Sequence, residues 1–385
     1  MDSFIVDRPV AVQDSFIVDQ SVAVEDSFIV DRPIAVQDLQ RSRFNEKDCF
    51  EELVEVGAGS NGRCVLLKRK CDQALRVCKI AQRIKVRRNK YEDKPLEASI
   101  LLDVLPKHDR IVRLYDALVQ PRTVQLYYEY YSHGDLYGLI RHHEKNIAFI
   151  PETFMWHAYL QLSEALAFLH TGYDQRASYS VPADWQPVIH GDLKPENIFL
   201  SPPNASSPSP LDREYPSLVI GDFGLATLVE NQRPGTLVYQ PPEMPASTKK
   251  ADVWALGSIM HKMAHHEEPI LPLPAQFQDS HENRMIWYWT PRSRVPKPLD
   301  DIYSLDLHDC VFETFTRDPR GRIDSLSLFR KVQDVFAITI MPYLERNLEP
   351  LLPMDLEDKY YDENGVTIRA SEVNEMEFLT PVGFQ

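Results

Sequence analysis

Between Phe44 and Tyr131 the apolar residues follow the patterns of short strands and a single helix. The run FEELVEVGAGSNGRCVLLKRKCDQALRVCKIA predicts strand, glycine loop, strand, turn and strand, with the turn near residues 71–73. A basic link, RIKVRRNK, leads to LEASILLDVL, whose apolar spacing is helical. RIVRLYDALV and TVQLYYEYY then alternate as strands do. This part of the chain therefore predicts a small sheet with one helix.

From Pro151 onward helical spacing dominates. The run TFMWHAYLQLSEALAFLH predicts a long amphipathic helix over residues 153–170. Two polar, proline-bearing stretches, residues 171–187 and 201–217, have the composition of surface insertions. From about residue 342 the chain is acidic and weakly periodic, which predicts a tail that lies on the surface or is disordered.

The first segment is a tandem repeat of twelve-residue units: DSFIVDRPVAVQ, DSFIVDQSVAVE and DSFIVDRPIAVQ, over residues 2–37. Three short units are few for an independent fold. Their composition favours a disordered or loosely β extension. The alternative is a strip for docking or self-association, since exposed FIV runs are adhesive and the Asp and Pro beside them limit aggregation.

Charge and cysteine content narrow the class of protein. The formal charge of -15 disfavours binding to nucleic acid, whose phosphates would be repelled. The five cysteines form no CxxC pair, which indicates reduced thiols in an intracellular protein. We find neither a signal-peptide pattern nor an apolar run of the roughly 20 residues that span a bilayer. We therefore expect a soluble protein of the cytoplasm or nucleus, with no membrane or nucleic-acid partner.

The glycine loop, Gly57-Ala-Gly59-Ser-Asn-Gly62, suits phosphate binding. Glycine has no Cβ, so backbone N–H groups can approach a phosphate closely. The same GxGxxG pattern occurs in Rossmann dinucleotide folds, where the loop opens a helix. Here it opens a second strand, and a further strand carries Lys79. This order favours an ATP-binding sheet of the kind that binds the α and β phosphates through a lysine.

Lys79 needs a carboxylate to orient it, and Glu97 in LEASILL is the candidate. Taken singly, Lys79 would be an exposed strand residue and Glu97 a solvated helix residue. If Pro95 is the first helical residue, Glu97 lies in the opening turn of a short helix.

The most specific run is VIHGDLKPENIFL, residues 188–200. Asp192 can accept the proton of an attacking hydroxyl, and Lys194 can neutralise the moving phosphoryl group. Asn197 can bind one Mg²⁺, and Asp222 of the later VIGDFG run can supply the other metal contact. Phosphoryl transfer needs little more than such cations, ligands and a positioned carboxylate. Behind a glycine loop and a lysine, these two runs predict transfer of the γ-phosphoryl group of ATP.

In these motifs the chain resembles eukaryotic protein kinases, over about residues 47–336. The resemblance implies an α+β, bilobal protein-kinase fold: a small β-sheet N-lobe with one helix (residues 47–131) and a larger, mainly helical C-lobe (132–341). The repeats (1–40) would precede it and the acidic tail (342–385) would follow it. The resemblance also implies ATP and Mg²⁺ as cofactors and protein substrates phosphorylated on serine or threonine. The residues implied to contact the nucleotide are Val56, Gly57, Gly59, Gly62, Cys64, Lys79, Glu97, Glu129, Tyr131 and Asp135.

Further landmarks of the family fall in order. Tyr128 would be the gatekeeper before the hinge, and Thr236 would contact the catalytic loop. Glu243 would form a buried pair with Arg322, and Asp252 would hold the backbone of the catalytic loop. Four residues match the stacked apolar positions that link the lobes of active kinases: Leu101, Leu114, His190 and Phe223.

The chain departs from the family pattern at HGD, where HRD is usual. Gly191 replaces the arginine that reads a phosphorylated activation segment, and the window LVENQRPG (228–235) has no Ser, Thr or Tyr. We therefore expect a kinase that needs no phosphorylation of this segment. DLKPEN resembles serine/threonine kinases, and the stretch DWQPVIHGDLKPENIFL is similar to kinases of filamentous fungi near the NIMA-related group.

Two other classes of protein compete with this interpretation. A pseudokinase scaffold would commonly lack Lys79, Asp192 or Asp222, and all three are present; only the missing HRD arginine favours it. A small-molecule kinase of the aminoglycoside or choline type would share the loop and metal residues but lack the runs PPE (241–243) and DVWALG (252–257), which this chain has.

Overall fold

The structure is a computed structural model. It describes residues 49–59, 62–82, 85–87, 90–91, 94–176, 180–231, 235–278, 280–342, 348–352, 360–362, 367–368 and 379–381. The three repeats, the tip of the glycine loop (residues 60–61) and most of the acidic tail lie outside these residues. The predictions made for the repeats and for most of the tail therefore concern segments outside the described part.

The N-terminal lobe contains a five-stranded antiparallel sheet. Its strands are β1 (Phe50–Gly59), β2 (Gly62–Arg69), β3 (Leu75–Gln82), β6 (Leu114–Val119) and β7 (Thr123–Glu129). The order across the sheet is β1-β2-β3-β7-β6. Strands β4 (Lys85–Arg87) and β5 (Lys90–Tyr91) form a small hairpin where the sequence indicated only a basic link. The other strands lie where the apolar pattern predicted them.

The helix of this lobe is short. Helix α1 (Leu96–Ser99) continues as a π-helical turn over Ile100–Val104. Pro95 lies just before the helix and is not its first helical residue. The helix begins at Leu96, so Glu97 lies in the opening turn, as expected. Ala98 and Ile100 are fully buried and hold this element against the sheet. The predicted helix of ten residues is therefore only one α-helical turn, extended by a π-helical turn.

The C-terminal lobe is mainly helical. Its helices are α2 (Leu136–Lys145), α3 (Glu152–Thr171), α4 (Pro210–Glu214), α5 (Lys249–His265), α6 (His281–Tyr288), α7 (Leu305–Glu313) and α8 (Ser325–Val335). Helix α8 continues as a π-helical turn over Phe336–Ile340. Strands β8 (Ile198–Ser201) and β9 (Ser217–Ile220) form an antiparallel pair, and the catalytic loop (residues 190–197) leads into β8. Strands β10 (Tyr360–Asp362), β11 (Thr367–Ile368) and β12 (Leu379–Pro381) form a separate three-stranded sheet.

Helix α3 is buried on almost every side, and the prediction that it is amphipathic was wrong. Its polar side chains are buried with its apolar ones. Each finds a partner, as buried polar groups must. Gln161 accepts from the backbone N–H of Leu218 at 2.8 Å, and Glu164 pairs with Arg110 at 3.3 Å. The polar positions that suggested a solvent face instead bond to neighbouring elements.

Both predicted surface insertions are anchored to the lobe. In the first, the Trp185 ring lies 5.2 Å from that of Phe168, and its N–H donates to the Leu169 carbonyl. The second contains helix α4 and the buried Tyr215. The Tyr215 hydroxyl donates to the carbonyl of Glu349, so residues 348–352 of the predicted tail contact this lobe.

The prediction of an α+β, bilobal fold is confirmed. The sheet with α1 forms one lobe, and helices α2 to α8 form the other. Within the described ranges, no helix is both long enough and apolar enough to cross a membrane.

Candidate active site

Lys79 lies at the centre of the site and contacts two carboxylates. From β3 its ammonium is 3.0 Å from one oxygen of Glu97 and 2.8 Å from Asp222. Burial disfavours the lysine charge, but the two carboxylates outweigh it and hold the pKa of Lys79 above its usual value. Burial likewise opposes the charge of Asp222, and Lys79 overcomes it and lowers the pKa of that carboxyl. Lys79 and Asp222 therefore both keep their charges at neutral pH.

Glu97 has a second partner that the sequence did not reveal. The Tyr128 hydroxyl donates to the same carboxylate over 2.7 Å. Tyr128 lies on β7, at the position assigned to the gatekeeper from the sequence, and is 7 % exposed. The sheet thus holds Glu97 from two strands, β3 and β7.

The loop before β8 brings together Asp192, Lys194 and Asn197. Lys194 lies 3.2 Å from the Asp192 carboxylate. The amide nitrogen of Asn197 donates to the Asp192 carbonyl at 2.8 Å, which fixes the rotamer of the asparagine. The carboxylate, the cation and the amide that the sequence places in this loop therefore lie close together in the structure.

Asp252 at the start of α5 holds this loop from inside the lobe. Its two carboxylate oxygens accept from the backbone N–H groups of His190 (2.8 Å) and Gly191 (2.9 Å). Gly191 has φ +76°, the left-handed region that L side chains rarely adopt. Compared with the arginine of the usual HRD run, glycine at position 191 therefore avoids backbone strain and also lacks a positive charge. The predicted role of Asp252 matches its contacts.

The end of the activation segment (residues 222–243) folds over the same cluster. The backbone N–H of Thr236 donates to the carboxylate of Asp192, and its hydroxyl accepts from Lys194 at 3.0 Å. The predicted contact between Thr236 and the catalytic loop is present. It includes a backbone bond to Asp192 that the sequence did not indicate.

Arg294 supports the turn that follows Thr236, and sequence reasoning missed it. It is fully buried, and its guanidinium donates to the carbonyls of Leu237 (2.7 Å) and Gln240 (3.1 Å). It also donates to carbonyls of Tyr288 and Thr290 at the end of α6, where a cation is favoured by the helix dipole. Every acceptor found in the described residues is uncharged, and burial lowers the pKa of Arg294 to about 10. An arginine among polar residues of a loop carries no sequence signal for such a contact.

Glu243 and Arg322 form the predicted pair. Two parallel bonds of 2.7 and 2.9 Å join the guanidinium to the carboxylate. Of the four residues predicted to link the lobes, Leu114 and Phe223 belong to one buried apolar cluster and Leu101 packs against it. The His190 ring meets that of Phe223 edge-on at 5.0 Å.

Six of the residues predicted to contact the nucleotide lie on β1, β2 and β3. Gly57, Gly59 and Gly62 lie at the β1–β2 turn, where Gly59 pairs with Gly62. A Cβ on Gly62 would lie 2.1 Å from the carbonyl oxygen of Ile80 on β3, so the close approach of β2 to β3 at this point requires glycine. Cys64 pairs with Lys79 across β2 and β3, and burial raises the pKa of its thiol. Val56 and Val77 both pack against the small cluster of the buried Val54 and Leu66.

The hinge follows β7. The N–H of Glu129 donates to the carbonyl of Arg113 at 3.0 Å, so the backbone atom that Glu129 can offer adenine is its carbonyl oxygen. The carbonyl of Tyr131 accepts weakly from Gly134 at 3.4 Å. Asp135, expected to reach the ribose or a basic substrate residue, caps α2 by accepting from the N–H of Gly138 at 2.8 Å. Burial raises the pKa of Asp135 to about 6.

The side chains present fit a magnesium ion. Because the nitrogen of Asn197 is engaged with the Asp192 backbone, the amide oxygen is the atom offered to the cleft. One carboxylate oxygen of Asp222 bonds Lys79, and the other is a hard ligand. Mg²⁺ keeps water and substrate phosphates in its shell, so one carboxylate and one amide suffice as protein ligands.

Comparison with known proteins finds a family model, described as protein kinase domain, that matches residues 50–332. The chain is 28 % identical over 306 residues to the G2-specific protein kinase nim-1 of Neurospora crassa, covering 74 % of this chain and 33 % of that protein. It is 29 % identical to G2-specific protein kinase nimA of Emericella nidulans, covering 74 % and 40 %. It is 28 % identical to human serine/threonine-protein kinase Nek2, covering 56 % and 45 %. The aligned region thus spans less than half of each of these curated relatives.

Proposed function

The chain belongs to the protein kinase family, and we propose that it transfers the γ-phosphoryl group of ATP to serine and threonine hydroxyls of other proteins. The observation that carries the proposal is the position of Lys79, bonded at once to Glu97 and Asp222. This arrangement presents one cation to the phosphates of ATP and one carboxylate to the metal ion. Kinase activity depends on both of these groups.

In this proposal the Asp192 carboxylate accepts the proton of the substrate hydroxyl as its oxygen attacks the γ-phosphorus. The bond from the γ-phosphorus to the bridging oxygen breaks, and ADP leaves with that electron pair. Lys194 stabilises the negative charge of the transferred group and orients Asp192, from which it lies 3.2 Å. Mg²⁺, held by Asn197 and Asp222, would supply charge neutralisation for the phosphates.

The test is transfer of radiolabelled phosphate from ATP to a generic basic protein by the purified chain. We expect Mg²⁺-dependent labelling that Asp222→Ala abolishes. A pseudokinase, the rival from a different class, would give no labelling in either protein although it remained folded. Once activity is measured, a positional-scanning peptide library identifies the preferred substrate sequence.

We further propose that activity does not depend on phosphorylation of the activation segment. The end of that segment is held by groups already in the chain: Asp192 and Lys194 contact Thr236 on one side, and Arg294 bonds to Leu237 and Gln240 on the other. In most HRD kinases a phosphate neutralises a basic cluster that includes the HRD arginine. Gly191 has no side chain to join such a cluster.

A broad phosphatase tests this second proposal. The purified protein is treated, loss of phosphate from residues 222–243 is confirmed by mass spectrometry, and peptide phosphorylation is measured. We expect the rate to stay within about twofold of the untreated protein. A fall of about tenfold, which corresponds to about 1.4 kcal/mol in the barrier, would show that a phosphate stabilises the active state.

A further inference from the structure

Tyr128 and Glu97 form a contact that joins the sheet to helix α1. The phenolic hydroxyl donates to Glu97 Oε1 over 2.7 Å, and both side chains are 7 % exposed. Tyr128 pairs with Val77 of β3 across the sheet, close to the strand residues that carry Lys79. The hydroxyl therefore reaches the carboxylate from a strand that is fixed on both edges, between β3 and β6.

Helix α1 cannot fix Glu97 by its own stability. It has one α-helical turn, Leu96–Ser99, and one π-helical turn, Ile100–Val104, with no side-chain cap at Pro95. Nucleating a helical turn is unfavourable, and isolated helices of this length do not persist in water. The position of Glu97 thus depends on tertiary contacts. Among the residues that the structure describes, the hydrogen bonds to its carboxylate come from Lys79 and from the Tyr128 hydroxyl.

A second donor matters because Lys79 is shared. Its ammonium has three N–H groups. In the structure it bonds both oxygens of Glu97 (3.2 and 3.0 Å) and Asp222 (2.8 Å), and in the proposed function it must also bind phosphate. As the lysine turns towards a nucleotide, Glu97 keeps the Tyr128 bond. Burial and the nearby Glu97 charge raise the pKa of Tyr128 well above its usual value, so the phenol keeps its proton at neutral pH.

We propose that Tyr128 is a positioning residue, whose hydroxyl holds Glu97 in contact with Lys79 and so sets the active arrangement of α1 from within the sheet. This inference rests on the proposed kinase activity and adds a device that keeps the lysine–carboxylate pair formed without a regulatory partner or a phosphate.

The test compares Tyr128→Phe with Tyr127→Phe. Both substitutions remove one hydroxyl and keep the buried ring. Tyr127 is 2 % exposed, and its hydroxyl donates to Gln125 on the same strand at 3.1 Å. We expect kcat/KM for peptide phosphorylation to fall about tenfold in Tyr128→Phe, with a higher KM for ATP, and to stay within about twofold in Tyr127→Phe.

A double-mutant cycle with Glu97→Ala, which removes the acceptor, separates positioning from general stability. If the hydroxyl acts through the carboxylate, Tyr128→Phe should have less than about a twofold effect in the Glu97→Ala background. An undiminished effect there, or an unchanged kcat/KM in the single variant, overturns the proposal.

Hydrogen exchange keeps the inference testable apart from activity. Backbone amides of residues 97–104 should exchange about tenfold faster in Tyr128→Phe than in Tyr127→Phe or the unaltered protein. Equal exchange in the two variants overturns the inference even if the protein is an active kinase. Faster exchange in Tyr128→Phe supports it even if the unaltered protein transfers no phosphate, which would contradict only the proposed function.

Discussion

The pair of Glu243 and Arg322 offers a quantitative test, because its two members are unequally buried. The Arg322 side chain is 0 % exposed and that of Glu243 is 23 % exposed. Arg322 also donates to the carbonyls of Thr316 (2.9 Å) and Lys250 (2.8 Å). Its guanidinium lies 5.0 Å from the ring of Trp254. The guanidinium therefore links the end of the activation segment to the interior of the C-terminal lobe.

Removing one member of a buried pair costs about 3–5 kcal/mol, because the other charge is left without its partner. The exposure of the remaining partner decides where in that range each variant falls. Arg322→Ala leaves a carboxylate that water can reach, so we expect about 3 kcal/mol. Glu243→Ala leaves a guanidinium that water cannot reach, so we expect about 5 kcal/mol. At about 2–4 °C per kcal/mol, Tm falls by about 6–12 °C and about 10–20 °C.

Thermal unfolding followed by far-UV circular dichroism, with urea titration as a second measure, gives the two values. Glu267→Ala is the matched control, because Glu267 pairs with Lys297 at the surface and both side chains are about half exposed. Exposed pairs contribute at most about 1 kcal/mol. If the Glu243 variant were no less stable than the Arg322 variant, or if both matched the control, the argument from unequal burial would be refuted.

Three further predictions concern catalysis, pH and the repeats. Asp192→Asn should lower kcat by a factor on the order of a thousand while the Kd for ATP stays nearly unchanged, because the carboxylate acts mainly in the transition state; retained transfer by the purified variant would contradict its role. Burial raises the pKa of Asp135 from 3.8 to about 6, so its ionisation destabilises the folded chain as pH rises through that window. Asp135→Asn keeps the helix cap and should raise Tm more at about pH 7.5 than at about pH 5, whereas an equal shift at both would refute this. Removing residues 1–37 should leave Tm and peptide phosphorylation unchanged, and loss of folding would show that the repeats pack on the kinase domain.

Much of the fold follows from local patterns. Alternation placed β1, β2, β3, β6 and β7, and the glycine loop separated the first two strands. The motif runs also placed Lys79, Asp192 and Asp222 in one cleft, although no spacing along the chain gives the distances between them. A periodic apolar pattern predicts a strand or a helix well when the element buries only one face.

The sequence by itself determined the family, the lobes and the residues with chemistry, because these depend on residue type, order and local periodicity. Only the tertiary structure decided which further groups act on them. The Tyr128 hydroxyl reaches Glu97 over 31 positions of the chain, and Arg294 bonds to Leu237 over 57. Helix α3 is also buried on the side whose polar residues suggested exposure to solvent, because other elements pack there. Hydrogen bonds form between atoms that folding brings within about 3 Å, and that proximity has no periodicity in the sequence.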